Sequence, residues 1–137
     1  MCIRDSDYDV EIGRVAERGD GSLVVVAEVG GRIVGCLTYA AHHTLPDAEH
    51  DDPDAATFRY FAVDPWTQGR GIGEAMVRWV FDRARADGKR RIHIHTLIPM
   101  VGAQRLYERL GFVRHPEDDA EWDGVKGLAY LADVPPA

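Results

Sequence analysis

The sequence predicts a single α/β domain, and three stretches predict it. Phe58–Val63 is an aromatic and β-branched run closed by Asp64-Pro65, then followed by glycines at 69, 71 and 73 and an apolar-periodic segment. Ser22–Val29 and Arg32–Ala41 are strand-like runs joined by Gly30-Gly31, a strong two-residue hairpin signal. Arg91–Leu97 alternates as a strand and precedes a short amphipathic helix at 103–110.

Length and charge narrow the function classes. The chain has 137 residues, enough for one domain with one sizeable core. Its 16 basic and 23 acidic residues leave a net charge of −7, which argues against nucleic acid or an anionic membrane surface as partner. No apolar run approaches the roughly 18 residues of a membrane span, and no secretory signal is visible. Cys2 and Cys36 form neither a disulfide framework nor a metal cluster, so a reducing cytoplasm is the expected setting. His42, His43 and His50 lack metal-ligand spacing, and no metal is expected.

Met1–Ser6 match no usable pattern and read as a non-native lead or the scar of a truncated reading frame, at the start of a single domain over 1–137 whose core motifs lie at 58–112. Asp7–Arg18 carries Tyr8, Ile12 and Val15 at helical spacing and reads as a short helix ended by Gly19-Asp20-Gly21. The hairpin follows. His42–Ala56 reads as a polar loop with five acidic residues at 47, 49, 51, 52 and 54, either a rim that attracts a cationic amine or a solvated insertion. A helix is expected over Ile72–Asp87, its stripe of Ile72, Ala75, Met76, Trp79, Val80 and Ala84 widened by Val77 and Phe81. Gly88 suits its terminating position, and Lys89-Arg90-Arg91 complement the negative dipole end. In the next strand Ile92, Ile94 and Thr96 share one face, with His93, His95 and Leu97 on the other. Beyond Phe112 one strand is expected, at Gly127–Ala132.

A strand, a glycine-rich turn and a helix start make an anion site. The helix N-terminus offers unpaired N–H groups and a positive dipole end, and glycines allow close approach of a phosphate or pyrophosphate. Two familiar loops are excluded. A P-loop needs Gly-Lys-Ser/Thr, whereas Gly73 is followed by Glu74-Ala75; a dinucleotide fingerprint needs glycine at position 74. The pattern Gln68-x-x-Gly71-x-Gly73 after Val63-Asp64-Pro65 resembles the acetyl-coenzyme A pyrophosphate loop of the GNAT N-acetyltransferases. Downstream, Ala103-x-x-Leu106-Tyr107-x-x-Leu110-Gly111-Phe112 closely resembles the last helix of that family, with Gly111 at a left-handed cap and Phe112 folding back onto Tyr107. The resemblance covers Ser22–Phe112.

That resemblance implies a GNAT-like fold: a mixed, largely antiparallel sheet flanked by helices and splayed between Phe58–Val63 and Arg91–Leu97. Family members usually carry a strand and two helices before the hairpin. Only 21 residues precede Ser22 here, so the chain looks shortened at that end, and low solubility or self-association through the uncovered face, a homodimer among the outcomes, is expected. The implied co-substrate is acetyl-coenzyme A, its pantetheine arm pairing near Phe61, Ala62 and Val63 and its pyrophosphate on Gln68, Gly69, Arg70, Gly71, Ile72 and Gly73. Tyr107 is implied beside the cofactor sulfur, where its hydroxyl acts as general acid; a purely structural tyrosine would only serve the cap. The family often places asparagine where Met100 stands, which puts one pantetheine hydrogen bond in doubt. The implied reaction is direct attack of a small-molecule or peptide amine on the thioester. An alkyl ammonium has a pKa of about 10 and must lose a proton, for which His93, His95 and the carboxylates of the 47–54 loop are all candidates. A non-catalytic acyl-coenzyme A-binding module and a ligand-free structural domain are the rival classes.

Overall fold

The computed structural model describes residues 2–4, 9–17, 21–42, 50–65, 71–97 and 101–136. Its elements run β1 (Cys2–Arg4), β2 (Asp9–Glu17), β3 (Leu23–Val29), β4 (Arg32–Ala40), β5 (Ala55–Val63), α1 (Ile72–Ala86), β6 (Arg91–Leu97), α2 (Val101–Arg109), β7 (Val113–Arg114), β8 (Ala120–Trp122) and β9 (Val125–Asp133). A 3-10 turn at Pro116–Asp118 precedes β8. The sheet order is β1-β2-β3-β4-β5-β6-β9-β7, with β8 also on β9. All pairings are antiparallel except β5 with β6. The predicted mixed, largely antiparallel sheet is therefore present.

The hairpin forms where Gly30-Gly31 places it, with φ of +57° and +80°, the two left-handed residues a tight hairpin turn requires. The region before it differs from expectation. Asp9–Glu17 is not a helix but strand β2, paired with β3 from Val10↔Val29 to Glu17↔Leu23. β-Branched Val10, Ile12 and Val15 together with Gly13 weaken a helix, and the open edge of β3 offers a full ladder instead. A register shift between Arg14 and Ala16 interrupts the two-residue alternation that would have marked the strand. Ile12 enters the core at 1% exposure.

β5 also begins earlier than expected. Ala55 and Ala56 belong to the strand rather than to the polar loop, and both are fully buried. They make the two parallel pairs to β6, Ala55↔Arg91 and Ala56↔Ile92, and past them the strands part. Arg91 reinforces this junction: its guanidinium donates to both carboxylate oxygens of Asp52 at 2.7 and 3.1 Å. The backbone N–H groups of Arg90 and Arg91 donate to the Asp54 carbonyl at 2.8 and 3.1 Å.

Helix α1 lies across the sheet, burying Ile72, Ala75, Met76, Val77, Val80 and Ala84, the stripe read from the sequence, with Trp79 and Phe81 half-buried. Gly35 on β4 allows its close approach: a β-carbon there would sit 2.7 Å from Met76 Sδ. Tyr39 donates its hydroxyl to Asp87 Oδ2 at 2.8 Å, tying the C-terminus of α1 to β4. Beyond Phe112 the structure adds β7 and β8, and β9 runs from Val125. Among the described residues, no helix is long and apolar enough to cross a membrane.

Candidate active site

The parting of β5 from β6 makes the site. Beyond Ala56 the side of β5 that faces β6 has no ladder partner among the described residues, while its other side stays paired to β4 as far as Gly35↔Val63. A bulge contributes: Leu37 faces both Tyr60 and Phe61, and Tyr60 adopts φ +55°, which bends the strand.

One cavity of about 780 Å³ opens at the C-terminal end of β5 against the start of α1 and the inner face of α2. Phe61, Ala62, Val63, Gly71, Ile72 and Gly73 all line it, so six of the predicted cofactor residues converge. Gln68, Gly69 and Arg70, predicted with them, lie outside the described residues, as does Met100. Gly71 is the N-cap of α1 at φ +79° and supplies no side-chain cap to the first turn, whose Ile72, Gly73 and Glu74 line the cavity. A β-carbon at Gly71 would meet nothing within 4 Å, whereas one at Gly73 would lie 3.4 Å from Phe61 and 3.5 Å from Leu106. Among the described residues nothing crowds Gly71, and a β-carbon at Gly73 would make ordinary van der Waals contact. The sequence reading missed Glu74, Gly102, Ala103, Leu106 and Arg109 on this wall. Arg109 Nε lies 3.8 Å from Glu74 Oε1 and is the one cation on the wall among the described residues.

A second cavity, of about 580 Å³, lies on the other side of the same parting. It is lined by Thr57, Phe58, Arg59, Tyr60 and Phe61 of β5, His95, Thr96 and Leu97 of β6, Tyr107 of α2, and Trp122, Asp123 and Val125 of the β8–β9 hairpin. Phe61 lines both cavities and stands 6.4 Å from Tyr107, centroid to centroid. Tyr107 is 5% exposed, packed by Phe58 at 5.9 Å and Phe112 at 5.5 Å. Burial pushes its phenol pKa well above the ordinary value, so the hydroxyl keeps its proton at neutral pH. The cap forms as expected, with Gly111 at φ +99°.

The candidate bases separate. His95 lines the second cavity. His93 is buried and faces an adjoining basin with His50, Asp51, Asp52, His115 and Asp118, and burial, then the neighbouring His95, lowers its pKa. Asp52 is committed to Arg91. Positions 47 and 49 of the acidic loop lie outside the described residues. The hairpin wall of Trp122, Asp123 and Val125 was not foreseen, although Asp123-Gly124 is a hairpin dipeptide and was the available signal.

Two cavities thus meet at Phe61 across a splayed sheet, one of them headed by the N-terminus of α1. The sequence pattern of the acetyltransferase (GNAT) family matches residues 3–112, and the chain belongs to that family. N-acetyltransferase 8 of Rattus norvegicus is 30% identical over 135 residues, which is 97% of this chain and 55% of that protein. The chain thus spans about half the length of this curated relative. Among solved structures, an IAA acetyltransferase from Bacillus cereus ATCC 14579 superposes with a TM-score of 0.70 at 19% identity, covering 90% of this chain and 99% of that one. A GNAT family acetyltransferase from Elizabethkingia anophelis with acetyl-CoA bound gives 0.69 at 15% identity, covering 90% and 97%. At these identities the superpositions establish the fold.

Proposed function

We propose that this chain transfers an acetyl group from acetyl-coenzyme A to a primary amine by direct attack within a ternary complex. The observation that carries this is the meeting of the two cavities at Phe61 and Tyr107. The first cavity fits the coenzyme. The amides of the first turn of α1 and the open space at Gly71 suit its pyrophosphate, with Gln68, Gly69 and Arg70 completing the loop. The unpaired side of β5 at Phe61–Val63 offers backbone groups that the amides of the pantetheine arm would pair with like an added strand. This sets the thioester at the boundary, where an amine in the second cavity reaches it.

Tyr107 is then the group that hands a proton to the departing sulfur. The phenol is protonated at neutral pH, and its packing holds the ring in place. A free thiol has a pKa near 8.5, so protonation assists departure without being obligatory. The second cavity, with Phe58, Tyr60, Phe61, Tyr107 and Trp122 in its wall, suits an amine with an apolar body. A reducing cytoplasm is the setting that its two cysteines suit.

Calorimetry with acetyl-coenzyme A, followed by thiol release over a panel of amines, tests the reading. Binding followed by amine-dependent thiol release is the expected result. Binding without release from any amine would make the chain a binding module, and no binding would overturn the proposal.

A further inference from the structure

We infer that Arg109 binds the coenzyme pyrophosphate, its guanidinium turning from Glu74 to the phosphate oxygens; this rests on the transferase reading above. Arg109 Nε lies 3.8 Å from Glu74 Oε1, an ion pair too long to be a hydrogen bond, and its side chain is 64% exposed. Among the described residues the guanidinium donates no hydrogen bond. A planar fork of N–H donors therefore stands on the wall of the first cavity, open to a ligand.

Both helices bring it there. On α2, Gly102, Ala103, Leu106 and Arg109 line the cavity, which is the spacing of one helix face. A β-carbon at Gly73 would lie 3.5 Å from Leu106, so this face rests against the first turn of α1. Arg109 stands one turn beyond Leu106 and meets Glu74, which belongs to that same first turn. The backbone around Arg109 is held by the helix end. Leu110 N–H donates to the Leu106 carbonyl at 3.1 Å, and Phe112 N–H donates to the Tyr107 carbonyl at 2.9 Å. Only the side chain has to turn.

Charge gives the reason. Glu74 sets a carboxylate beside the amides proposed for the pyrophosphate, and like charges repel there. Arg78 Nη2 also lies 3.8 Å from Glu74 Oε1, so Glu74 keeps a cation when Arg109 turns away. The guanidinium fork matches two phosphate oxygens at once. An arginine in the last turn of α2 complements the helix dipole as well, but that role needs no place on the cavity wall. Helix α2 would then serve both ends of the donor, with Tyr107 in the second cavity and Arg109 in the first.

The test reads binding by the whole chain. Wild type is titrated first by calorimetry, and no binding of acetyl-coenzyme A overturns the transferase reading instead. Arg109→Gln should weaken acetyl-coenzyme A about 10-fold, and Arg109→Lys less, because lysine keeps the charge and loses the fork. The Arg109→Gln loss should persist with acetyl-dephospho-coenzyme A, which keeps the pyrophosphate and lacks the 3′-phosphate. It should vanish with acetyl-pantetheine, which lacks both and is titrated by NMR. It should also persist when Glu74→Gln is the background. Unchanged affinity in Arg109→Gln overturns the assignment. A loss confined to acetyl-coenzyme A overturns it in favour of the 3′-phosphate, and an equal loss with acetyl-pantetheine makes Arg109 structural. A double variant that binds like Glu74→Gln alone reduces Arg109 to a neutraliser of Glu74 and overturns it too. If Arg109→Gln melts low, the comparison across the three donors still decides, because partial unfolding weakens all three alike.

Discussion

The backbone N–H of Phe112 donates to the carbonyl of Tyr107 at 2.9 Å, and their rings lie 5.5 Å apart. The residue proposed for chemistry is also one end of a helix cap. Tyr107→Phe separates the two roles, because it keeps the ring and deletes only the hydroxyl. Turnover should fall by about 10² to 10⁴, while melting temperature and acetyl-coenzyme A affinity stay close to wild type. Unchanged turnover would make Tyr107 purely structural.

Gly71→Glu places bulk and a negative charge in the open space before the first turn of α1. The left-handed φ of +79° adds backbone strain. Acetyl-coenzyme A affinity measured by calorimetry should fall at least tenfold, about 1.4 kcal/mol. Equal affinity in a folded variant would remove the pyrophosphate from this loop.

Arg91 and Asp52 clasp the β5–β6 junction, and the hydrogen bonds from Arg91 hold the Asp52 carboxyl down at about 2. A carboxyl depressed in the folded state contributes stability above its unfolded pKa of about 3.9 and loses it as pH falls through the folded value. Arg91→Gln should therefore cost about 1–2 kcal/mol at neutral pH, allowing for partial screening. Thermal melts should show the deficit at pH 6 and a shrinking difference between pH 4 and pH 2. A deficit independent of pH would point to lost packing.

At Gly35 an added methyl would meet Met76 Sδ at 2.7 Å and the Ala62 carbonyl at 3.3 Å. Gly35→Ala should destabilise by about 1–3 kcal/mol, as overpacked cores do. In a Met76→Ala background the same change should cost clearly less, which urea unfolding of the four-member cycle would measure. Equal costs in both backgrounds would place the strain in the backbone.

The elements most legible in the sequence were those whose local chemistry and tertiary role agree. Gly30-Gly31 demands the hairpin, the α1 stripe is wide and regular, and Gly111 with Phe112 spells a cap that the packing uses. β2 was misread because its bulge broke the alternation and its strand character comes from pairing with β3. Ala55 and Ala56 were hidden because alanine carries little strand preference, and only burial against β6 makes them a strand. In the site, the wall of the first cavity at Phe61–Val63 and Gly71–Gly73 was readable because it is nearly contiguous in sequence. The second wall was not, because His95, Tyr107 and Trp122 come from three elements that only the fold assembles.

The turn joining β8 to β9 has Asp123 at φ +50° and Gly124 at φ +81°, and its Trp122 ring lies against the bare Cα face of Gly127. Three cross-strand pairs to β9 hold β8, and neither helix contributes to that ladder. The hairpin wall of the second cavity is therefore built apart from the helix N-terminus that heads the first. On the proposed reading, substitutions at Trp122, Asp123 and Val125 would alter the acceptor side and leave the coenzyme side untouched.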